Sequence, residues 1–240
     1  MPSELVTLNI DAHDPLALAT FWAGVLNRPA PQDSPGGVVM LPGGDGELAL
    51  CFLPTDVPKT QPNQMHFDLA STSWDDQQAT VDRALGLGAS HLDVGQLPEE
   101  QHVVLADPEG NEFCVVEPTN RFLADTARIG ALSCDGSEAV GRFWSEALGW
   151  PLVWDQDEET AIQSPRGGTK ISWGGPPFRE KTGKNRWHLD LAPLAGTDQQ
   201  DEVERLESLG GRRADIGQGD VPWVVMADVD GNEFCVLAPA

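Results

Sequence analysis

Over the first 118 residues the apolar positions switch between two periods, and each switch marks an element. Leu5 to Ile10 alternates apolar and polar side chains, as a half-buried strand does. Asp14-Pro15 then opens a helix, with Asp suited to the N-cap and Pro to the first helical position. Leu18, Phe21, Trp22, Val25 and Leu26 recur at helical spacing and give that helix one apolar face. Val38 to Leu41 and Glu47 to Leu53 read as short strands joined through Gly-Gly-Asp-Gly, a hairpin. Met65 to Ala70 is a further strand, and Asp75 to Leu87 is a second helix ended by Gly88. Val103 to Ala106 and Glu112 to Val116 pair across Asp107-Pro108-Glu109-Gly110-Asn111, with Pro and Gly where a tight turn needs them.

The same pattern then returns. VVLADPEGNEFCVVEP (Val103 to Pro118) comes back as VVMADVDGNEFCVLAP (Val224 to Pro239). Phe21-Trp22, Leu26 and Pro29 return as Phe143-Trp144, Leu148 and Pro151, and His66 to Ala70 (HFDLA) as His188 to Ala192 (HLDLA). Val81, Arg83, Leu87 and Gly88 match Val203, Arg205, Leu209 and Gly210. Four blocks in one order identify a duplication. The expected division is a first module over 1–118, a linker over 119–126 and a second module over 127–240. Each copy counts as two βαβββ halves or as one βαβββ unit with an extra helix crossing; the pattern fits both.

Composition narrows the function classes. A chain of 240 residues with 40% hydrophobic and 22% charged residues is globular rather than disordered. The net charge of −23 repels nucleic acid and anionic membranes, so neither is an expected partner. Met1 to Leu8 lacks the basic flank and apolar core of an export signal, and a cytoplasmic location is expected. Cys51, Cys114, Cys134 and Cys235 show no CxxC spacing and read as reduced, mostly buried thiols. Basic residues concentrate between Arg166 and Arg186. That segment is either a solvated loop, a face docking on the acidic first half, or a site for an anionic ligand group.

Taken together, the blocks resemble the glyoxalase/bleomycin-resistance/dioxygenase (vicinal oxygen chelate) superfamily. The resemblance rests on Asp14-Pro15 and a helix ending Phe21-Trp22-x-x-x-Leu26, on the His-x-Asp strands, and on the Asp107 to Phe113 hairpin, and it spans nearly the whole chain. It is nearest to the glyoxalase-like subgroup with an N-R-x-H-x-D strand. Asn185-Arg186-Trp187-His188-Leu189-Asp190 fits that pattern in full, while Asn63-Gln64-Met65-His66 lacks the Arg. The resemblance implies an α+β fold of tandem βαβββ modules, with curved, mostly antiparallel sheets around a cleft. It also implies ligand positions for a divalent metal: a His on the first strand, a ligand on the mid-unit strand and a Glu after the terminal turn. The first-strand position is assigned to Leu5 and Ala127, and the Glu position falls at Cys114 and Cys235. One His per unit is too few, so no cofactor is expected; should a divalent ion bind, His66, Cys114, His188 and Cys235 are its candidate ligands.

His66 and Asp68 lie two apart on a strand and share a face, as do His188 and Asp190. A carboxylate beside an imidazole supplies a general base, or simply a satisfied polar pair in a cleft wall. These four are the catalytic candidates, and with the tryptophans they are expected to line one cleft. Trp173, Arg186, Trp187, Trp223, Glu112 and Glu233 are the ligand-binding candidates, because indole faces hold planar organic molecules and Glu112 and Glu233 share parity with the cysteines. Trp22 and Trp144 are read as core. The functional expectation is a small-molecule binder of the drug-sequestering kind, acting as a monomer or homodimer without a catalytic metal. The alternatives are a lyase, isomerase or dioxygenase-type enzyme, and a partner-binding protein that has lost its ligand site.

Overall fold

The structure is a computed structural model describing residues 2–97, 99–178 and 181–239. It contains four βαβββ units in succession. The first is β1 (Glu4–Ala12), α1 (Pro15–Leu26), β2 (Gln32–Asp33), β3 (Val39–Leu41) and β4 (Leu50–Pro54). The second is β5 (Met65–Leu69), α2 (Trp74–Gly86), β6 (Ser90–His91), β7 (Val103–Ala106) and β8 (Glu112–Val115). The third is β9 (Ile129–Cys134), α3 (Glu138–Leu148), β10 (Leu152–Gln156), β11 (Glu159–Gln163) and β12 (Lys170–Trp173). The fourth is β13 (Trp187–Ala192), α4 (Gln199–Ser208), β14 (Arg212–Arg213), β15 (Val224–Ala227) and β16 (Glu233–Val236). Each copy therefore holds two units.

Those units do not close into a sheet within their own copy. Sheet one has the order β14-β15-β16-β13-β1-β4-β3-β2, and sheet two β10-β11-β12-β9-β5-β8-β7-β6. Each is half from one copy and half from the other, joined by antiparallel pairs of β1 with β13 and β5 with β9. Pairing is mostly antiparallel, with parallel steps inside each unit, such as β1 beside β4. Both sheets are open.

A single hydrophobic cluster draws on both sheets and all four helices. Trp22 of α1 meets Phe67 and Phe113 edge-on at 5.0 Å, and Phe67 meets Trp187 of the other copy at 4.7 Å. Edge-to-face aromatic pairs each add about 1 kcal/mol beyond the area they bury. Trp22 and Trp144 are core, as expected, and their polar ends explain why the repeated blocks travel together. The Trp22 indole N–H donates to Asp107 Oδ2 at 3.2 Å, and that of Trp144 donates to Asp228 Oδ2 at 3.3 Å. Asp107 also accepts from the backbone of Glu109 and Asn111 and from the Asn111 amide. Burial still pushes its carboxyl up to about 6, against those hydrogen bonds. The next acidic residue of the turn holds the helix start: Glu109 accepts from His13 and Asp14 N–H, and Asp230 from Ser137. The turn motif is thus a clamp between terminal hairpin and first helix.

Candidate functional site

Along the central strands the apolar parity faces the core, which leaves the other face of each sheet to the polar residues. On sheet two, β5 presents His66 and Asp68, β8 presents Cys114, β9 presents Ser133 and β12 presents Ser172. His66 Nε2 lies 3.5 Å from Asp68 Oδ1. The Ser133 hydroxyl donates to Asp68 Oδ2 at 2.6 Å and lies 3.2 Å from the Ser172 hydroxyl. His66 is 38% exposed, so solvent reaches this group. Burial opposes charge on both partners, but their mutual contact prevails: the His66 pKa is raised, with Asp135 and Glu112 adding to Asp68, and the Asp68 pKa is lowered. Each partner favours the charged form of the other.

On sheet one, β13 presents His188 and Asp190, β16 presents Cys235, β1 presents Asn9 and β4 presents Cys51. His188 Nε2 and Asp190 Oδ1 are 3.6 Å apart, with only 9% and 15% of their side chains exposed. Here burial prevails. It carries His188 down to about 3, helped by Lys184, and lifts Asp190 to about 6 despite contacts from Asn9 and Cys235. His188 Nδ1 and Asp190 Oδ1 are buried with no hydrogen-bond partner among the described residues. In each cluster one donor atom from His, Asp and Cys lie within 4.8 Å of one another. The thiols are not nucleophiles as they stand. Burial and the adjacent carboxylates push Cys114 and Cys235 well above the ordinary thiol range, and Cys51 to about 11.

Several expectations need correction. His66 and Asp68 do not share a cleft with His188 and Asp190, because the two His-x-Asp strands belong to different sheets. Leu5 and Ala127 are not the first-strand positions. Asn9 stands opposite His188 and Ser133 opposite His66. Asp11 then matches Asp135 in its bond across to the neighbouring strand, so the interval from the first strand to the Phe-Trp pair of the helix is two residues shorter in the second copy. An offset read from the helices therefore misplaces the first strand. Trp173 and Trp187 are 2% and 1% exposed and belong to the core. Trp223 is exposed on the loop leading into β15.

Glu112 and Glu233 hold loops. Glu112 accepts from Lys59 Nζ at 2.6 Å and from Asn63 N–H, while Asn63 bonds Asn111. Glu233, Lys181, Asn185 and Asn232 repeat this arrangement in the second copy. The spacing of Lys59 and Asn63 recurs at Lys181 and Asn185, a signal the sequence offered. Arg186 donates to the carbonyls of Asp11 and Val57 and lies 3.6 Å from Glu109; Lys184 pairs with Asp11 at 2.6 Å. Within the basic segment, Lys184 and Arg186 dock on the first copy, while Lys181 pairs with Glu233 of the second. All four cysteines are free, three of them buried.

The 119–126 segment also contributes to the polar face of sheet two. Leu123 packs with Val116 and Ala131, and Phe122 packs against this small cluster. The Phe122 ring meets the exposed Trp154 of β10 edge-on at 6.2 Å, with the Lys170 ammonium 4.6 Å from its centroid. Neither Phe122 nor Lys170 was singled out by the sequence pattern, because their roles depend on which strands become neighbours.

No described helix is long and apolar enough to cross a membrane. Comparison with known proteins agrees with the architecture. No curated protein matches the chain. Among solved structures, the V278E mutant of glyoxalase I from Zea mays superposes with a TM-score of 0.66 at 15% identity, over 98% of this chain and 92% of that one. A putative dioxygenase from Bacillus subtilis subsp. subtilis str. 168 gives 0.60 at 15% identity, over 98% and 85%. At such identities the likeness establishes the fold. The model of the glyoxalase-like domain matches residues 7–116 and again 130–237, once per copy. With both copies accounted for, the chain belongs to the glyoxalase-like domain family.

Proposed function

We propose that the protein binds a small organic molecule on the polar face of sheet two and that it does so without a catalytic metal. The observation carrying this reading is the solvent-reached His66–Asp68 pair, flanked by Ser133 and Ser172 rather than by bulky side chains. Specific small-molecule sites pair a few oriented polar groups with apolar walls. Here Phe122 and Trp154 supply the wall. The contact with Asp68 orients the His66 ring and raises its pKa, so the imidazole is placed to hold a polar or anionic group of a ligand. A screen of aromatic natural products and small carbonyl compounds by tryptophan fluorescence tests the reading. A saturable change is expected for at least one class, and it should vanish in Ser172→Phe, which fills the floor. If no compound gives a saturable change, the chain is not a ligand binder of this kind.

A second reading concerns sheet one, where the family's metal chemistry finds a fitting donor set. His188 is neutral, Asp190 has no cation to compensate it, and each carries a buried atom without a hydrogen-bond partner. Imidazole, carboxylate and thiolate together suit a zinc-class ion. His188, Asp190 and Cys235 would hold it, and the ion when bound would supply Lewis-acid polarisation. Metal analysis of protein purified without chelator separates the readings. One equivalent per chain, lost in His188→Ala and retained in His66→Ala, supports a metal on sheet one; none in either leaves both faces metal-free.

A further inference from the structure

A half-open groove of about 800 Å3 lies between the two copies, away from both His groups. Small-molecule sites run from roughly 300 to 1,000 Å3, so there is room for a ligand. Part of the lining is apolar: Leu5 and Leu48 from the first copy, Trp150 and Ile171 from the second. The rest comes mainly from two glycine-rich loops, 44–47 ahead of β4 and 166–169 ahead of β12. These loops touch. Thr169 N–H donates to the Gly46 carbonyl at 3.3 Å, and a Cβ on Gly168 would stand 1.9 Å from that oxygen. The absence of a side chain at Gly168 is what lets them meet.

Charge is the second observation. Cys51 stands beside Asn9, and Ser172 stands beside Ser133, the counterpart of Asn9. Six residues before Cys51 is Asp45, and six before Ser172 is Arg166. Each is followed by a glycine of positive φ, Gly46 at 74° and Gly167 at 81°. Equivalent positions of the two copies thus carry opposite charges, and both line the groove. Among the described residues neither Asp45 nor Arg166 has an ion-pair partner. The other charges of the lining are compensated. Glu47 lies 3.2 Å from Arg28 and accepts from Gly44 N–H, and Asp125 acts on Lys170. Asp45, Glu47 and Asp125 therefore balance Arg166, Arg28 and Lys170, and the lining with its direct partners carries no net charge. Such a groove selects neither a plain anion nor a plain cation, but a molecule that carries both charges. The net charge of the whole chain acts at longer range and is screened beyond about 8 Å at physiological salt.

We propose that this groove is a separate ligand site for a zwitterionic small molecule of the amino-acid type, its ammonium toward Asp45, its carboxylate toward Arg166 and its side chain against Leu5, Trp150 and Ile171. The groove shares no residue with the His66 group, so the assignment is independent of the reading of sheet two. NMR and calorimetric titrations with three probes of similar shape test it: L-phenylalanine, phenethylamine and 3-phenylpropanoate. Phenylalanine carries both charges and the other two carry one each. It should bind about fivefold more tightly than either, as one exposed ion pair provides. Its binding should shift the amide signals of Gly46, Gly167 and Gly168 saturably. Asp45→Asn should abolish the preference over 3-phenylpropanoate, and Arg166→Gln the preference over phenethylamine. Both side chains are exposed, so folding is retained and can be checked by thermal melting.

Exchanging the charges, Asp45→Arg with Arg166→Asp, supplies a second check. The double variant should keep the phenylalanine preference, because a zwitterion can turn round, whereas each single reversal should lose it. Equal affinities for the three probes, unchanged in both neutralised variants, would overturn the zwitterion assignment. Amide shifts confined to the His66 face would overturn the groove as the site. No saturable shift with either L-phenylalanine or L-leucine would overturn the proposal outright. The Ser172→Phe control of the fluorescence screen keeps the two sites distinguishable, since Ser172 does not line the groove.

Discussion

The polar faces of the two sheets carry the same His, Asp and Cys in the same register, with their charges arranged in opposite ways. On sheet two, His66 and Asp68 are in contact where solvent reaches them, each favouring the charged form of the other, and the Ser133 hydroxyl donates to Asp68. On sheet one, His188 is neutral and Asp190 is a carboxyl lifted to about 6 inside a poorly hydrated site. The difference comes from the neighbours. Ser133 and Ser172 stand beside a partly exposed His66, whereas Asn9, Cys51 and Met40 line the face of a buried His188, and Lys184 adds positive charge near it. Identical motifs in a duplicated chain therefore need not share a chemistry. The environment of each copy decides the protonation state.

That comparison can be broken in three ways. The largest effects should be symmetric. Asp107→Ala and Asp228→Ala each remove the buried acceptor that holds an indole N–H and the turn backbone, and each should cost about 3 kcal/mol in urea unfolding. A large inequality between them would mean that the two terminal hairpins are not equivalent clamps.

The clusters, by contrast, should respond with opposite sign. The folded-state pKa of Asp190 is raised above its unfolded value, so the folded state loses stability as pH climbs from about 4 to 6 and stays penalised above that. Asp190→Asn should thus stabilise the protein by about 2 kcal/mol at pH 8 and by nothing at pH 4. Asp68 runs the other way. Its folded pKa is depressed, so its contribution is present above pH 4 and is lost on acidification. Asp68→Asn should destabilise by about 1 kcal/mol at pH 7. Equal signs for the two substitutions would remove the asymmetry argued here.

The smallest effect is spectroscopic. In an NMR titration the His66 ring should titrate above the ordinary 6.5 and drop in Asp68→Asn, while His188 should remain neutral down to about pH 4. A His188 ring that titrates near 6.5 would show that water reaches sheet one as freely as sheet two.

Much of the fold was legible because it is written locally. Asp14 and Pro15 start α1, and Asp14 Oδ1 does accept from Ala17 N–H. The alternation in β5 and β13 placed each His beside its Asp, and the turn motif predicted both terminal hairpins. The candidate site was legible only as fragments. His66, Asp68, His188 and Asp190 were found, but as one cleft, and Trp173 and Trp187 were assigned to it although they pack in the core. A periodicity of two says that alternate residues share a face. It does not say which face turns to the core, nor which strand lies alongside.

The sequence by itself determined the duplication, the four helices, the shared face of each His and Asp pair and the terminal turns, since all of these are written within short stretches of chain. Only the tertiary structure decided that β1 joins β13 and β5 joins β9, and hence that each face mixes residues from both copies. It alone brought Lys170, Phe122 and Trp154 together on sheet two, and it alone raised the pKa of one imidazole and lowered that of the other. Strand partners are chosen by burying the core of the whole chain, and a pKa is set by the water and charges that this choice leaves nearby.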